Sequence, residues 1–359
     1  MQDTSLAFEA PPSAAQELRG LSYPFGRWTP EHGKLHPVAD GVFWLRMPLP
    51  FSLNHINLWV IDDGAGWAIV DTGLAAPTCK DLWRALFDGP MAGRPVTRVI
   101  VTHYHPDHLG LAGWLTHKWG VPLEMTRGEY LLARVLTLDV AAGPPSAAVD
   151  FYVRSGWDDE AIGNFKAQSW GRFGRALTPL PGSYKRIVDG EVLTIGGRSW
   201  RVVTGSGHSP EHACLVCDEA GLMISGDQLL PRITSNVSVY PTEPRANPLG
   251  DWFASLDTLE ALDADLMVLP AHNEPFQRLR VRTQQLRDDH MRKLDALETL
   301  IADTPGTAID SFRTLFGRAI KSDELMMATG EALAHLHWLE QGGRAVRVSD
   351  GGVDRFARS

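Results

Sequence analysis

The densest chemistry in the chain is the run VTHYHPDHLG at 101–110, which places His103, His105, Asp107 and His108 within six residues. His103 and His105 are two apart, just past a buried-type strand at 96–101. In extended chain, residues i and i+2 point the same way, so both imidazoles can face one point. Asp107 and His108 follow at the expected start of a helix. A chance polar loop is a poor account of three imidazoles and a carboxylate at this spacing. Three further candidates follow strands of their own: His208 in VVTGSGHSP, Asp227 in LMISGDQ and His272 in LMVLPAH. In a layered α/β protein, loops at one end of the strands meet around one site.

These side-chain types suit a metal. Neutral imidazoles and carboxylates bind zinc without any cysteine, with iron or manganese as alternatives. A monodentate Asp227 can bridge two ions. Two ions about 3.5–4 Å apart would lower the pKa of a shared water to near 7, orient it, and polarise a carbonyl or phosphoryl oxygen. Such a site needs no Ser or Cys nucleophile. No G-x-S-x-G elbow, P-loop or Rossmann glycine fingerprint competes with it.

The elements that must position these residues alternate in type. Segments 41–47, 56–62 and 66–71 are short, apolar and bounded by turn residues, and read as strands. Residues 78–88 carry Leu82, Trp83, Leu86 and Phe87 at helical spacing, with Thr78 as the expected N-cap. Residues 108–119 read as a helix. Residues 125–180 break the rhythm with helical patches at 128–138 and 158–174, a GPPSAA loop and several aromatics. They read as a helical insertion, serving either as a lid or as plain packing. Strands resume over 186–204, with Gly196-Gly197 as a hairpin turn, and again at 213–218, 221–224 and 266–269. Helices are expected at 251–262 and 276–303. Pro305 marks a boundary. The remainder offers helical pieces at 308–316, 322–328 and 330–341, then the hairpin AVRVS–DGG–VDRFA. That is the winged-helix outline. The expected organisation is an irregular lead-in (1–36), a main domain (37–304) and a small C-terminal domain (305–359).

Composition narrows the class. The chain has 359 residues, a formal net charge of -9, 44% apolar and 21% charged residues, which is ordinary for a soluble enzyme. The acidic balance disfavours general nucleic-acid or anionic-membrane binding. The three cysteines, Cys79, Cys214 and Cys217, form no disulfide framework. Cys214 and Cys217 sit in an apolar strand whose residues three apart face opposite sides, so they are expected as core thiols. The N-terminus MQDTSLAFEAPPSAAQEL has no basic region and no long apolar run, and no segment reaches the roughly 18 apolar residues of a membrane span. The expected location is the cytoplasm.

His103-x-His105-x-Asp107-His108 followed by His208, Asp227 and His272, in that order, resembles the metallo-β-lactamase superfamily over roughly residues 37–300. The resemblance implies an α/β fold, a four-layer αβ/βα sandwich. It implies that His103, His105 and His208 hold one metal and Asp107, His108 and His272 a second, with Asp227 bridging. AIVDTG at 68–73 matches a further family element in which the aspartate, here Asp71, orients the ligands. The residues alone equally allow a turn aspartate after a strand. Two departures stand out. Pro270-Ala271-His272-Asn273 replaces the P-G-H-G of many relatives, and the bridging position is Asp227 rather than the cysteine of one class of true β-lactamases. The tail, ALAHLHWLEQGGRAVRV, resembles the winged helix of the β-lactamase-like-protein-2 group. Its helix 330–341 carries no Arg or Lys, so packing or a homodimer contact is expected rather than DNA binding, with His335 and His337 at a surface or interface.

The expected activity is hydrolysis of an ester-like or thioester small molecule by a metal-bound hydroxide, with two zinc ions and with Asp107 handling the proton. An RNA phosphodiesterase and a mononuclear-iron persulfide dioxygenase are the rival readings, and a DNA-binding regulator is a third. His55 and His212 are candidates to lie beside the site. Tyr184 and Lys185 are weaker candidates for reaching a substrate carboxylate or phosphate.

Overall fold

A computed structural model describes residues 14–359. Of the N-terminal stretch read above for a leader, residues 1–13 lie outside the described residues. The rest of the lead-in is not irregular: β1 (Gln16–Leu18) and β2 (Leu21–Tyr23) pair as a small antiparallel ribbon.

Two sheets carry the main body. The first contains β3 (Leu35–Ala39), β4 (Val42–Pro48), β5 (His55–Asp62), β6 (Trp67–Val70), β7 (Val96–Ile100), β8 (Leu123–Met125) and β9 (Lys185–Arg186), in that spatial order. Its strands are antiparallel up to β6 and parallel from β6 onward. Helices therefore make the parallel crossovers: α1 (Pro77–Asp88), then α2 (Pro106–Leu109) with α3 (Ala112–Trp119). The connection from β8 to β9 holds α4 (Arg127–Leu138), α5 (Ser146–Arg154) and α6 (Asp159–Lys166), which is the expected helical insertion. The second sheet contains β10 (Val192–Ile195), β11 (Arg198–Gly205), β12 (His212–Cys217), β13 (Leu222–Gly226) and β14 (Met267–Pro270). The helices α7 (Pro248–Glu260) and α8 (Leu279–Asp303) cover it. The chain closes with α9 (Phe312–Phe316), α10 (Leu325–Gln341) and the hairpin β15 (Ala345–Asp350) and β16 (Val353–Arg358).

Strand alternation sorts the core into three slabs. In β4, Trp44 joins Trp59, Trp200 and Leu215 between the two sheets, while Phe43, Leu45 and Met47 face Trp83, Leu86 and Leu115 of the helices. In β12, Ala213, Leu215 and Cys217 point into the inter-sheet slab, and Cys214 and Val216 point at α7, α8 and α10. Helix, sheet, sheet, helix is the four-layer αβ/βα sandwich. The two cysteines lie on opposite faces as buried free thiols.

Several boundaries moved for identifiable reasons. Helix α1 starts at Pro77, whose missing N–H suits the first helical position, with Ala76 rather than Thr78 before it. The helix expected at 108–119 breaks at Gly110 and Leu111 into α2 and α3. The patch at 158–174 ends at Lys166, and α5 begins inside the GPPSAA segment. Phe276 bridges back to Val268, which delays α8 to Leu279. The pieces at 322–328 and 330–341 are one helix, α10. Gly330 does not break it, because its bare backbone lets the helix lie on Ser238 and Val239, where a Cβ would come within 2.8 Å of both. Leu333, Leu336 and Leu339 of α10 share one apolar cluster with Leu286 and Leu294 of α8 and Leu256 of α7.

Candidate metal centre

All seven expected ligands converge. The strand ends bring them there: His103 just past β7, His208 past β11, Asp227 at the end of β13 and His272 past β14. Pro106 opens α2 directly after His105, which turns the chain so that Asp107 and His108 come back to the same point. One ligand atom from each of His103, His105, His208 and Asp227 lies within 4.8 Å of the others, and Asp107, His108 and His272 form a second such group. Asp227 reaches both. Its Oδ2 is 3.4 Å from His208 Nε2, and its Oδ1 is 3.4 Å from His272 Nε2 and 3.6 Å from His108 Nε2.

The tautomers follow from the outer hydrogen bonds. His108 donates Nδ1–H to Asp71 Oδ2 at 2.8 Å, His208 to the Asn236 carbonyl at 2.8 Å and His272 to the His55 carbonyl at 2.9 Å. His103 Nδ1 lies 3.1 Å from the Thr102 hydroxyl, which itself donates to Asp71. In the neutral ring, each outer bond leaves the inner nitrogen as a lone pair. The inner nitrogens are crowded: His103 Nε2 is 2.8 Å from His105 Nδ1 and 3.3 Å from His208 Nε2. Among the described residues, buried His108 Nε2 and Asp227 Oδ1 have no hydrogen-bond partner. Lone pairs aimed at one another in a buried pocket repel unless a cation takes them. Ligands about 2.1 Å from a tetrahedral ion sit roughly 3.4 Å apart, which matches the spacings here. The donor set therefore fits metal of the zinc or iron class. Burial, aided by the neighbouring imidazoles, pushes His103 far below its ordinary range and His105 to about 3, so both are neutral bases at pH 7.

A ring of supports holds the ligands. Asp71 takes a left-handed backbone (φ 62°) and accepts from the Thr102 N–H at 2.8 Å as well as from His108. It holds His108 and Thr102 together, which a turn residue alone would not do. His212 is fully buried, stacks on His103 and accepts the Asp227 N–H at 3.1 Å. His55 accepts the Asn273 N–H at 2.9 Å. Asn273 itself is left-handed (φ 67°), a conformation asparagine tolerates, which explains why it can stand where many relatives carry glycine.

Four supports escaped the sequence reading. Asn57 ties the His272 turn through the carbonyls of Pro270 and Asn273, at 2.9 and 2.7 Å. Its signal was a lone amide inside the apolar strand INLWVID. Asn236 and Ser235 hold His208 and Asp227, and nothing in their spacing marks them. Glu129 of α4 is fully buried and accepts from Tyr104 N–H, Ser209 Oγ–H and Glu211 N–H at 2.9, 2.6 and 2.7 Å. Its helix periodicity is that of an ordinary surface acid.

Lys185 pairs with Glu124 at 3.2 Å with its side chain half exposed, and the Tyr184 ring stacks on Tyr130. One expectation fails. His335 and His337 are 0% and 1% exposed. They are core residues, because α10 is packed on most sides.

Residues 52–272 match the family described as Metallo-beta-lactamase superfamily, and residues 294–359 match its Metallo-beta-lactamase-like C-terminal domain. The second match begins inside α8, ahead of the boundary expected at Pro305. A solved beta-lactamase domain protein from Burkholderia ambifaria is 42% identical, with a TM-score of 0.88 over 94% of this chain and 98% of that one. The probable metallo-hydrolase YqjP of Bacillus subtilis is 25% identical over 315 residues, 84% of this chain and 93% of its own. The acyl-coenzyme A thioesterase MBLAC2 of Gallus gallus is 26% identical over 247 residues, 67% of this chain and 80% of its own. A family match spanning most of the sandwich, laid over seven candidate ligands that meet at one end of its two sheets, has one consequence: the chain belongs to the metallo-β-lactamase superfamily.

Proposed function

We propose that this protein is a two-metal hydrolase that cleaves small-molecule thioesters. The observation that carries the reading is the position of Asp227, whose two oxygens address His208 on one side and His108 and His272 on the other. His103, His105 and His208 would hold one ion, Asp107, His108 and His272 the other, and Asp227 would be shared. Bound there, zinc-class ions bring the pKa of a water to near 7 and polarise a carbonyl oxygen.

The chain's own groups do the rest. Asp107 is the most open carboxylate of the cluster, with its side chain 21% exposed against 11% for Asp227. Its Oδ2 faces His108 and His272, leaving Oδ1 to accept a proton from the attacking water and return it to the departing sulfur. Asp71, Asn236 and the His55 carbonyl keep three imidazoles in the basic tautomer throughout. The thioesterase likeness at 26% identity supports the substrate class. Helix α10 offers few free side chains for reading a nucleic-acid groove, because Ala332 through His337 are buried.

The test is hydrolysis of acyl thioesters, lactones, β-lactams and short RNA by zinc- and iron-loaded protein. Thioesters should be turned over fastest. His103→Ala and Asp227→Ala should abolish turnover while circular dichroism stays native. Full activity in either variant, or RNA as the preferred substrate, defeats the reading.

A further inference from the structure

Outside the ligand cluster, four arginines gather at a cavity of about 320 Å³ between the β1–β2 turn, the loop after Asp227 and α8. Arg19, Arg232, Arg282 and Arg292 line it against Asp288 and Asp289, in a chain that is acidic overall. Arg232 is paired with Glu274 at 2.8 Å and Arg292 with Asp289 at 2.9 Å. Arg19 and Arg282 have no carboxylate partner among the described residues.

Arg282 is the decisive side chain. It is 8% exposed, and its guanidinium hydrogen-bonds the carbonyls of Leu230 and Ile233 and, at 3.4 Å, the Gln285 amide oxygen. Carbonyl dipoles orient a buried cation without neutralising it. Burial lowers its pKa and the Arg19 charge adds to that, while Tyr23 and Asp289 act the other way. Arg19 adds a second free charge from a left-handed backbone (φ 52°), where side chains are uncommon. Planar arginine forks are the preferred partners of phosphate. The volume exceeds that of a single phosphate and sits at the lower end of the range for ligand pockets, about 300–1,000 Å³.

One loop links the cavity to the metal centre. Arg232 and Thr234 face the cavity. Ser235 and Asn236, the next two residues, bond the Asp227 and His208 that form the centre. Glu274, the partner of Arg232, is two residues past His272.

We propose that this cavity recognises phosphate groups on the carrier of the thioester substrate, a coenzyme A-type nucleotide, while the thioester itself lies at the His/Asp cluster. This rests on the thioesterase reading above. An acyl group on a carrier without phosphate would lack this hold.

The experiment uses the full-length, metal-loaded protein. It is titrated calorimetrically with adenosine 3′,5′-bisphosphate and with inorganic phosphate. It is also assayed with an acyl-coenzyme A and with the same acyl group on N-acetylcysteamine, which has no phosphate. The bisphosphate should bind in a salt-sensitive manner and compete with acyl-coenzyme A. The double variant Arg19→Gly/Arg292→Ala changes two exposed residues, and glycine suits the backbone at 19. It should weaken bisphosphate binding about tenfold, and raise KM for acyl-coenzyme A by a similar factor with kcat held. If the bisphosphate fails to bind while the N-acetylcysteamine thioester is hydrolysed, the subsite is wrong and the thioesterase reading stands. If phosphate alone binds as tightly, the cavity serves a free anion and the carrier assignment is overturned. If the bisphosphate binds but neither thioester is cleaved, the thioesterase reading fails and takes the carrier assignment with it.

Discussion

His108 and Asp71 stand 37 residues apart in sequence, yet Nδ1 of one lies 2.8 Å from Oδ2 of the other, with both side chains buried. The same carboxylate binds the backbone and hydroxyl of Thr102, next to His103. One group thus fixes the tautomer of a ligand on one side and the strand end of a ligand on the other. Asp71→Asn keeps the shape but can turn an N–H toward Nδ1. We expect metal affinity to fall about 10- to 100-fold, as is typical when such a partner of a ligating histidine is lost. Competition against a chromophoric chelator measures it, and an affinity equal to wild type would remove Asp71 from this role.

Metal removal should also weaken the fold. The inner nitrogens of His103 and His208 face each other at 3.3 Å, an arrangement that a bound cation relieves. An ion present at about 100 times its Kd stabilises the folded state by about 2.7 kcal/mol. Dialysis against a chelator should therefore lower Tm by several degrees, and zinc should restore it. In His103→Ala the chelator should have little effect. An identical chelator shift in that variant would place the stabilising ion elsewhere.

Much of this centre was legible beforehand, and the reason is local. His103, His105, Asp107 and His108 sit in one turn after a strand, where the two-residue period and the proline fix direction. His208, Asp227 and His272 each follow an apolar strand, so a layered fold alone gathers them. The supports were harder to read, since they act across the fold. Asn236 contributes only a carbonyl, which any residue supplies. Glu129 has no spacing rule, because its three donors come from two distant loops. His335 and His337 misled because a helix free of Lys and Arg but rich in His reads as half-exposed, whereas three other helices cover it.

Glu129 gives a stability prediction. Burial raises its pKa, and its hydrogen bonds to Ser209, Glu211 and Tyr104 act against that. Glu129→Ala would strand the buried Tyr104 N–H, the half-buried Glu211 N–H and the buried Ser209 hydroxyl. The expected loss is about 2–5 kcal/mol. Urea unfolding measures it. Glu129→Gln keeps one strong acceptor and should lose less. Equal losses for the two would mean that packing, and not the acceptor, matters at this position.

The buried histidines of α10 predict how stability responds to acid. His337 donates Nδ1–H to the Ala246 carbonyl at 2.8 Å, and its buried Nε2 has no partner. Burial holds its pKa at about 4, with Arg347 and Arg245 opposing protonation and Glu340 favouring it. His335 is likewise at about 4, and it hydrogen-bonds His290, which burial takes to about 2. The unfolded chain takes up these protons near pH 6.5 and the folded chain does not. The unfolded state therefore binds more protons below that pH, and stability falls as pH drops from 6.5 toward 4, with no contribution above 7. Carboxylates and the metal centre also titrate in this range, so the comparison must isolate one imidazole. His337→Leu should cost about 1 kcal/mol at pH 7.5 for the lost hydrogen bond. At pH 4.5 it should regain about 2 kcal/mol relative to wild type, because no buried imidazole remains there to resist protonation. Urea unfolding of both proteins at the two pH values gives the difference directly. Parallel stability losses on acidification would mean that His337 is protonated as readily in the folded chain as in the unfolded one.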